Sequence, residues 1–208
     1  MKKRTISLAA VMFCFALAGS ATAATYSFDY TGGPKSIIDY TSDYAEIEVP
    51  DGLGTISDLN VFVNISHTWI NDVELYLWHS QDGGDTWKGV QLYNHDAPNG
   101  YDNIPSVLFD DQAPTSISNA ALPYVSGGTF RPTSLPAAGD SNLLSDFIGD
   151  QSAGLWDLEW YDWANGDTGT LLNFRIDVET SAVPLPGAFL LFGSGLGAVA
   201  GLRRLRQK

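Results

Sequence analysis

The strict alternation of apolar and polar side chains in several short segments constrains the fold of this chain most. It runs through residues 45–49, 59–65, 73–77, 156–160 and 172–178. Successive side chains of a β-strand point to opposite faces, so each segment predicts a strand with one buried face. In the last segment the predicted core face is formed by Leu172, Phe174, Ile176 and Val178.

Glycine-, proline- and asparagine-rich turns separate these segments, and no sustained 3.6-residue period lies between them. Many short strands joined by such turns predict an all-β domain. The simplest architecture is an antiparallel β-sandwich of jelly-roll type, as in galactose-binding-like domains. Residues 94–105 and 113–142 are predicted to be long loops, where binding sites are commonly built.

The amino terminus has the pattern of a secretory signal peptide over residues 1–24. Basic residues 2–4 are followed by an apolar stretch at 6–17 and by small residues at 21–23. The single cysteine, Cys14, lies inside this leader. An exported domain without disulfides must be held by its core, by metal ions or by both.

The carboxyl end predicts a membrane helix. Residues 185–202 form a run of 18 without a charge, and a helix of that length spans about 27 Å, just short of a bilayer core. The basic residues Arg203 and Arg204 follow at once, and positive residues beside a membrane segment stay on the cytoplasmic side. The preceding domain is therefore expected to be exported.

Together with the motif Val183-Pro184-Leu185-Pro186, this tail resembles the PEP-CTERM sorting signal of bacteria with an outer membrane. The resemblance implies processing by exosortase, a membrane protease and transpeptidase. It further implies an inner-membrane intermediate and delivery to the cell surface or an exopolysaccharide matrix of a Gram-negative bacterium. An ordinary single-span anchor is the alternative interpretation.

Charge is distributed unevenly along the chain. Between residues 29 and 179 there are 24 acidic and four basic residues, which gives a net charge of −20 for that region. Such a surface repels phosphate backbones, so nucleic acid is excluded as an expected partner. It suits cations or polysaccharide bridged by cations.

Six blocks in this acidic region resemble the P domain, or Homo B domain, that follows the catalytic domain of kexin- and furin-type proprotein convertases. The blocks stand in the family's order, cover about residues 53–179, and comprise 56–61 with 65–73, 109–113, 128–132, 144–149, 154–158 and 166–171. The resemblance implies a jelly-roll β-sandwich. Residues 25–52, which precede it, are long enough only for one or two extra strands, so no protease activity is expected from the chain itself.

Clustered carboxylates predict a structural Ca²⁺ site, because calcium binds six to eight hard oxygen ligands. The resemblance adds to this, since related jelly-roll domains on secreted proteases bind calcium. The alternative is that the aspartates cap turns through nearby backbone N–H groups. The candidate ligands are Asp72, Asp110, Asp111, Asp162 and Asp167.

Aromatic side chains near turns form a second candidate site, because flat rings can stack on sugars. The predicted ligand-binding residues are Trp69, Trp87, Tyr101 and Trp163. Packing beneath long loops is the competing interpretation.

Catalysis is not predicted. The string Asp167-Thr168-Gly169-Thr170 matches the aspartic protease motif, but it occurs once, whereas those enzymes pair two aspartates. No G-x-S-x-G elbow before the carboxyl-terminal segment presents a serine nucleophile. His67 and His79 continue strand faces, which predicts structural histidines.

The sequence thus predicts a signal peptide at 1–24, a β-sandwich at 25–180 and a sorting tag at 181–208. The predicted function is a non-catalytic structural, adhesive or scaffolding module, with exopolysaccharide or a surface protein as partner. The alternatives are a lectin-like carbohydrate-binding module, an accessory domain for a separately encoded subtilisin-like protease and, last, an aspartic-type hydrolase.

Overall fold

The computed structural model describes residues 23–95, 102–119, 128–134 and 136–181, and these form an all-β domain with two sheets. The described strands are β1 (Ala24–Asp29), β2 (Lys35–Ile37), β3 (Ser42–Val49), β4 (Ile56–His67), β5 (Val73–Ser80), β6 (Lys88–Tyr93), β7 (Ile104–Phe109), β8 (Thr129–Phe130), β9 (Gly154–Asp162) and β10 (Gly169–Thr180). Short 3₁₀ helices occupy Ile70–Asp72, Ile117–Asn119 and Leu144–Phe147. The predicted signal peptide up to residue 22 and the sorting motif lie outside the described residues.

The six-stranded sheet has the order β1-β10-β4-β7-β8, and β2 also pairs with β10. Its pairs are antiparallel except for β7 with β8. The four-stranded sheet has the order β3-β9-β5-β6 and is antiparallel throughout. In both sheets the long central strands carry the alternating segments, so their buried sides meet in the interior.

One apolar core contains the inward side chains of both sheets. From the six-stranded sheet come Val61 and Val63, and from the four-stranded sheet come Leu77, Trp156 and Leu158, all of them fully buried. Burial of apolar surface, at roughly 25 cal/mol per Å², is the main stabilising contribution to such a fold. The five strands predicted from alternation and the all-β class are confirmed, whereas jelly-roll connectivity stays a prediction.

The predicted core face of β10 is wrong at one position. Leu172 is 45% exposed, whereas Leu171 is fully buried. The register with β4 shifts between Leu171 and Asn173, which marks a β-bulge. A bulge adds one residue to a strand and reverses the facing of those on one side of it, so alternation alone misassigns this position.

Strand residues lie inside both predicted long loops. β7 begins at Ile104, inside the predicted 94–105 loop, and β8 lies inside the predicted 113–142 loop. Two-residue strands carry too little pattern for recognition, and β8 forms because β7 offers it an open edge. Within the described ranges no helix combines the length and apolar character needed to span a bilayer.

Candidate functional site

The outer face of the four-stranded sheet combines aromatic and acidic side chains. On each strand the residues between core positions point outward, and the register places them in two adjacent rows across β3, β9 and β5. One row is Tyr44, Glu159 and Tyr76, and the next is Glu46, Asp157 and Trp78. This face therefore carries rings and carboxylates side by side.

These rows border an open cleft, here called the aromatic cleft, with a volume of about 420 Å³. That volume lies at the lower end of the range for small-molecule sites. Its walls are Tyr44, Trp78, Trp87, Asp157 and Glu159. Three flat rings and two carboxylates thus line one cleft.

Trp78 is held in a fixed orientation within the cleft. Its Nε1 donates to Glu159 Oε2 at 2.7 Å, and its ring stacks on Tyr76 with 5.7 Å between centroids. The indole lies directly over Gly89 of β6, where an added Cβ would come within 2.2 Å of the ring. The absence of a side chain at Gly89 is therefore required for this ring position.

Trp87 is positioned by an ordered loop between β5 and β6. Asp82 accepts hydrogen bonds from the Thr86 hydroxyl at 2.6 Å, the Thr86 N–H at 2.9 Å and the Ser80 hydroxyl at 2.8 Å. These bonds, with those from Thr86 first, lower the pKa of Asp82 to about 2. The Trp87 Nε1 also donates to Gly84 O, which fixes the exposed ring at the cleft.

Asp157 is the unusual member of the cleft. Only 9% of it is exposed, and its Oδ1 is buried without a hydrogen-bond partner. Burial raises the pKa of Asp157 to about 6, with further contributions from the negative charges of Glu46 and Glu159, while Lys35 opposes the shift. The Lys35 ammonium is itself bonded to Asp43 at 2.8 Å.

The aromatic surface continues along the same face beyond the cleft. Tyr161 and Trp163 lie with ring centroids 4.4 Å apart, and Trp163 also contacts His95. His95 Nδ1 lies 3.0 Å from Glu74 Oε1. Rings and carboxylates are therefore interspersed on this face over several strand positions. Successive outward residues of one strand are about 6.6 Å apart.

A second acidic group, here called the carboxylate cluster, consists of Asp72, Asp162 and Asp167. Burial raises the pKa of Asp72, as do the nearby charges of Asp162 and Asp167 and a hydrogen bond with Asp167. Asp167 accepts from the Thr68 hydroxyl at 2.9 Å. The cluster joins the β4–β5 turn to the β9–β10 turn.

Asp162 is fully buried and has partners on both oxygens. Its Oδ1 accepts from the Ala164 N–H, and its Oδ2 lies 3.2 Å from His67 Nε2. His67 Nδ1 accepts from the Trp69 N–H at 3.1 Å, so both ring nitrogens serve structural bonds. His79 is also buried, stacked on Trp156 at 3.9 Å.

The five predicted calcium ligands do not form one group. Asp110 caps its own turn through the Gln112 N–H, and Asp111 accepts from the backbone N–H groups of Leu144 and Ser145. Among the residues that the structure describes, no three His, Cys, Asp or Glu side chains are arranged to hold a metal ion. Calcium binding stays a prediction. Turn capping is observed at Asp110 and Asp162, whereas Asp111 binds the first N–H groups of the distant 3₁₀ helix Leu144–Phe147.

The structure places the predicted ligand-binding aromatic residues in different parts of the molecule. Trp87 lines the cleft and Trp163 lies on the same outer face, whereas Trp69 lies in the β4–β5 turn with 45% of its surface exposed. Tyr101 falls outside the described residues. Sequence reasoning missed Asp157 and Glu159 as site residues, although both occupy polar positions of a recognised alternation.

Searches against family models and against curated proteins find no match to this chain. The resemblance to P domains therefore remains an expectation.

Proposed function

We propose that this chain is an exported, non-catalytic β-sandwich module that adheres to polysaccharide at the cell surface or in the extracellular matrix. The aromatic cleft is the observation that carries this proposal. Indole and phenol rings offer apolar faces to the C–H faces of sugars, and carboxylates accept hydrogen bonds from sugar hydroxyls. Export and anchoring rest on the predicted signal peptide and sorting tag.

The preorganisation of the cleft supports a binding role. Gly89, Glu159 and the Asp82 loop fix two tryptophans that would otherwise be free to choose other rotamers. Ordering a side chain before binding reduces the entropy lost when a ligand arrives. The core is packed on the opposite face of the sheet, so these exposed rings do not contribute to it. Their fixed positions favour contact with a ligand.

The test measures retention of the full chain on immobilised polysaccharides, comparing the wild type with the double variant Trp78→Ala/Trp87→Ala. We expect at least about a tenfold loss of affinity, or about 1.4 kcal/mol. The matched control is Phe62→Ala, which removes a ring covered by Arg175 at 5.0 Å on the outer face of the other sheet. Circular dichroism establishes that each variant is folded.

Retention that is equal in the wild type and the double variant would show that the cleft is not the binding site. If the wild type is retained on no polysaccharide, adhesion to polysaccharide is excluded.

One contact favours a second candidate function, the aspartic-type hydrolase. Asp167 lies close enough to Asp72 for its charge to add to burial in raising the pKa of Asp72, so a single chain holds two neighbouring carboxyl groups, as aspartic proteases do. The test is Asp167→Asn: loss of a measured peptidase activity without unfolding would favour this function. The adhesion proposal expects no such activity in the wild type.

A further inference from the structure

One carboxylate in the wall of the aromatic cleft lacks a full set of hydrogen-bond partners within the protein. Asp157 lines the cleft, and its Oδ1 is buried without a hydrogen-bond partner. A buried carboxylate normally has a donor or a cation beside it, because desolvation of an unpaired charge is costly. The donor for Asp157 is therefore expected to come from a ligand.

The surroundings of Asp157 favour a cationic donor over a neutral one. Glu46 faces Asp157 on the neighbouring strand and Glu159 is two residues along β9, and the charges of both act on Asp157. The nearby ammonium of Lys35 is engaged by Asp43. A positive ligand group would relieve the repulsion among the three carboxylates, whereas a hydroxyl would satisfy only one oxygen.

The aromatic rings of the cleft indicate what kind of molecule bears the cationic group. Tyr44, Trp78 and Trp87 present flat surfaces around an open cleft and do not form a narrow cage. A pyranose ring matches such surfaces, and an amine attached directly to it reaches the carboxylates while the ring stacks. The aromatic surface continues beyond the cleft to Tyr161 and Trp163, and such a length suits an extended polymer of repeating units.

From this geometry we infer that the ligand of the aromatic cleft is a polysaccharide containing free amino sugars, with Asp157 as the acceptor for the sugar ammonium. The inference rests on the proposed function and names its substrate class. Glu159 accepts the hydrogen bond that orients Trp78 and adds a negative charge to the cleft. Glu46 adds a negative charge opposite Asp157 on the neighbouring strand.

The experiment titrates the full chain by calorimetry with three soluble probes at about pH 6.5, where a substantial fraction of the sugar amines is protonated. The probes are a glucosamine oligomer, the matching N-acetylglucosamine oligomer and a neutral hexose oligomer. We expect the glucosamine oligomer to bind at least about tenfold more tightly than the other two.

Charge-neutral substitutions locate the effect. Asp157→Asn is expected to remove the preference for the glucosamine oligomer over the acetylated oligomer, and Glu46→Gln is expected to reduce that preference partially. The matched control is Asp29→Asn, which removes the same charge from the exposed edge of the six-stranded sheet. It is expected to leave the preference intact.

The outcomes separate this inference from the proposed function. Equal or tighter binding of the acetylated or hexose oligomer overturns the amino-sugar inference and keeps polysaccharide adhesion. A preference that survives in Asp157→Asn also overturns the inference. No binding of any of the three oligomers overturns the amino-sugar inference, and retention on no immobilised polysaccharide overturns both proposals.

Discussion

The aromatic cleft and the carboxylate cluster are both acidic, yet they differ in how their central aspartate is satisfied. In the cluster, Asp162 has a backbone donor on one oxygen and His67 on the other. In the cleft, Asp157 has an oxygen with no partner. The number of carboxylates therefore does not distinguish the two regions. The hydrogen-bond partners of each carboxylate do.

The two regions also serve the fold differently. The cluster ties two turns together, since Thr68 donates to Asp167 and Thr168 donates its N–H to Thr68. The cleft lies on a sheet face whose strands are already paired and whose core side is already packed. Loss of an aspartate is therefore expected to have opposite effects on stability in the two regions.

The largest expected effect is destabilisation by Asp162→Ala. The substitution leaves His67 Nε2 and the Ala164 N–H without their acceptor in a buried place, which costs about 3 kcal/mol of unfolding free energy. Urea unfolding of the full chain measures it, with Asp29→Asn as the exposed control. A loss below about 1 kcal/mol would contradict the structural role of Asp162.

Asp157→Asn is expected to stabilise the protein. The pKa of Asp157 is about 6 in the folded state against 3.8 ordinarily, so ionisation favours the unfolded chain as the pH rises through about 6. One pKa unit is about 1.4 kcal/mol and solvent screening reduces it, so we expect a gain of about 1 to 2 kcal/mol at neutral pH. The gain should vanish near pH 4.

Urea unfolding of both proteins as a function of pH measures this difference. A gain that is equal at acidic and neutral pH would show that ionisation of Asp157 is not its cause. Destabilisation at neutral pH would show that Asp157 has a partner that stabilises its charge, which would remove the contrast with Asp162.

Gly89→Ala tests whether the cleft is held in shape by β6. The added methyl group would overlap the Trp78 ring, so the indole must move and its bond to Glu159 is lost at a cost of about 1 kcal/mol. Polysaccharide retention should fall with it. In the Trp78→Ala background the same change should cost much less, and equal costs in both backgrounds would show no coupling.

The smallest expected effect concerns calcium. Calcium at a concentration near its Kd stabilises a binding protein by only about 0.4 kcal/mol. We expect a correspondingly small rise in Tm that chelation reverses, that Asp72→Asn abolishes and that Asp110→Asn retains. An unchanged Tm in the wild type would exclude calcium as the cation of the carboxylate cluster.

Several elements of this fold could be predicted from local pattern. Residues 59–65 and 156–160 alternate so regularly that strand, face and core membership follow from the two-residue period. The bulge after Leu171 and the short strand β8 could not, because each depends on the partner strand available beside it. Trp87 and Trp163 were identified as ligand candidates from their position near turns.

Periodicity and composition are enough to predict the all-β class, the alternating strands and the strongly acidic character of the domain. Tertiary structure alone decided which polar positions meet. Asp157, Glu46 and Trp78 are far apart in the chain, and only the register of β3, β9 and β5 places them in one row. Register depends on packing across the sheet, so no local pattern reveals that Asp162 has partners on both oxygens whereas Asp157 Oδ1 has none.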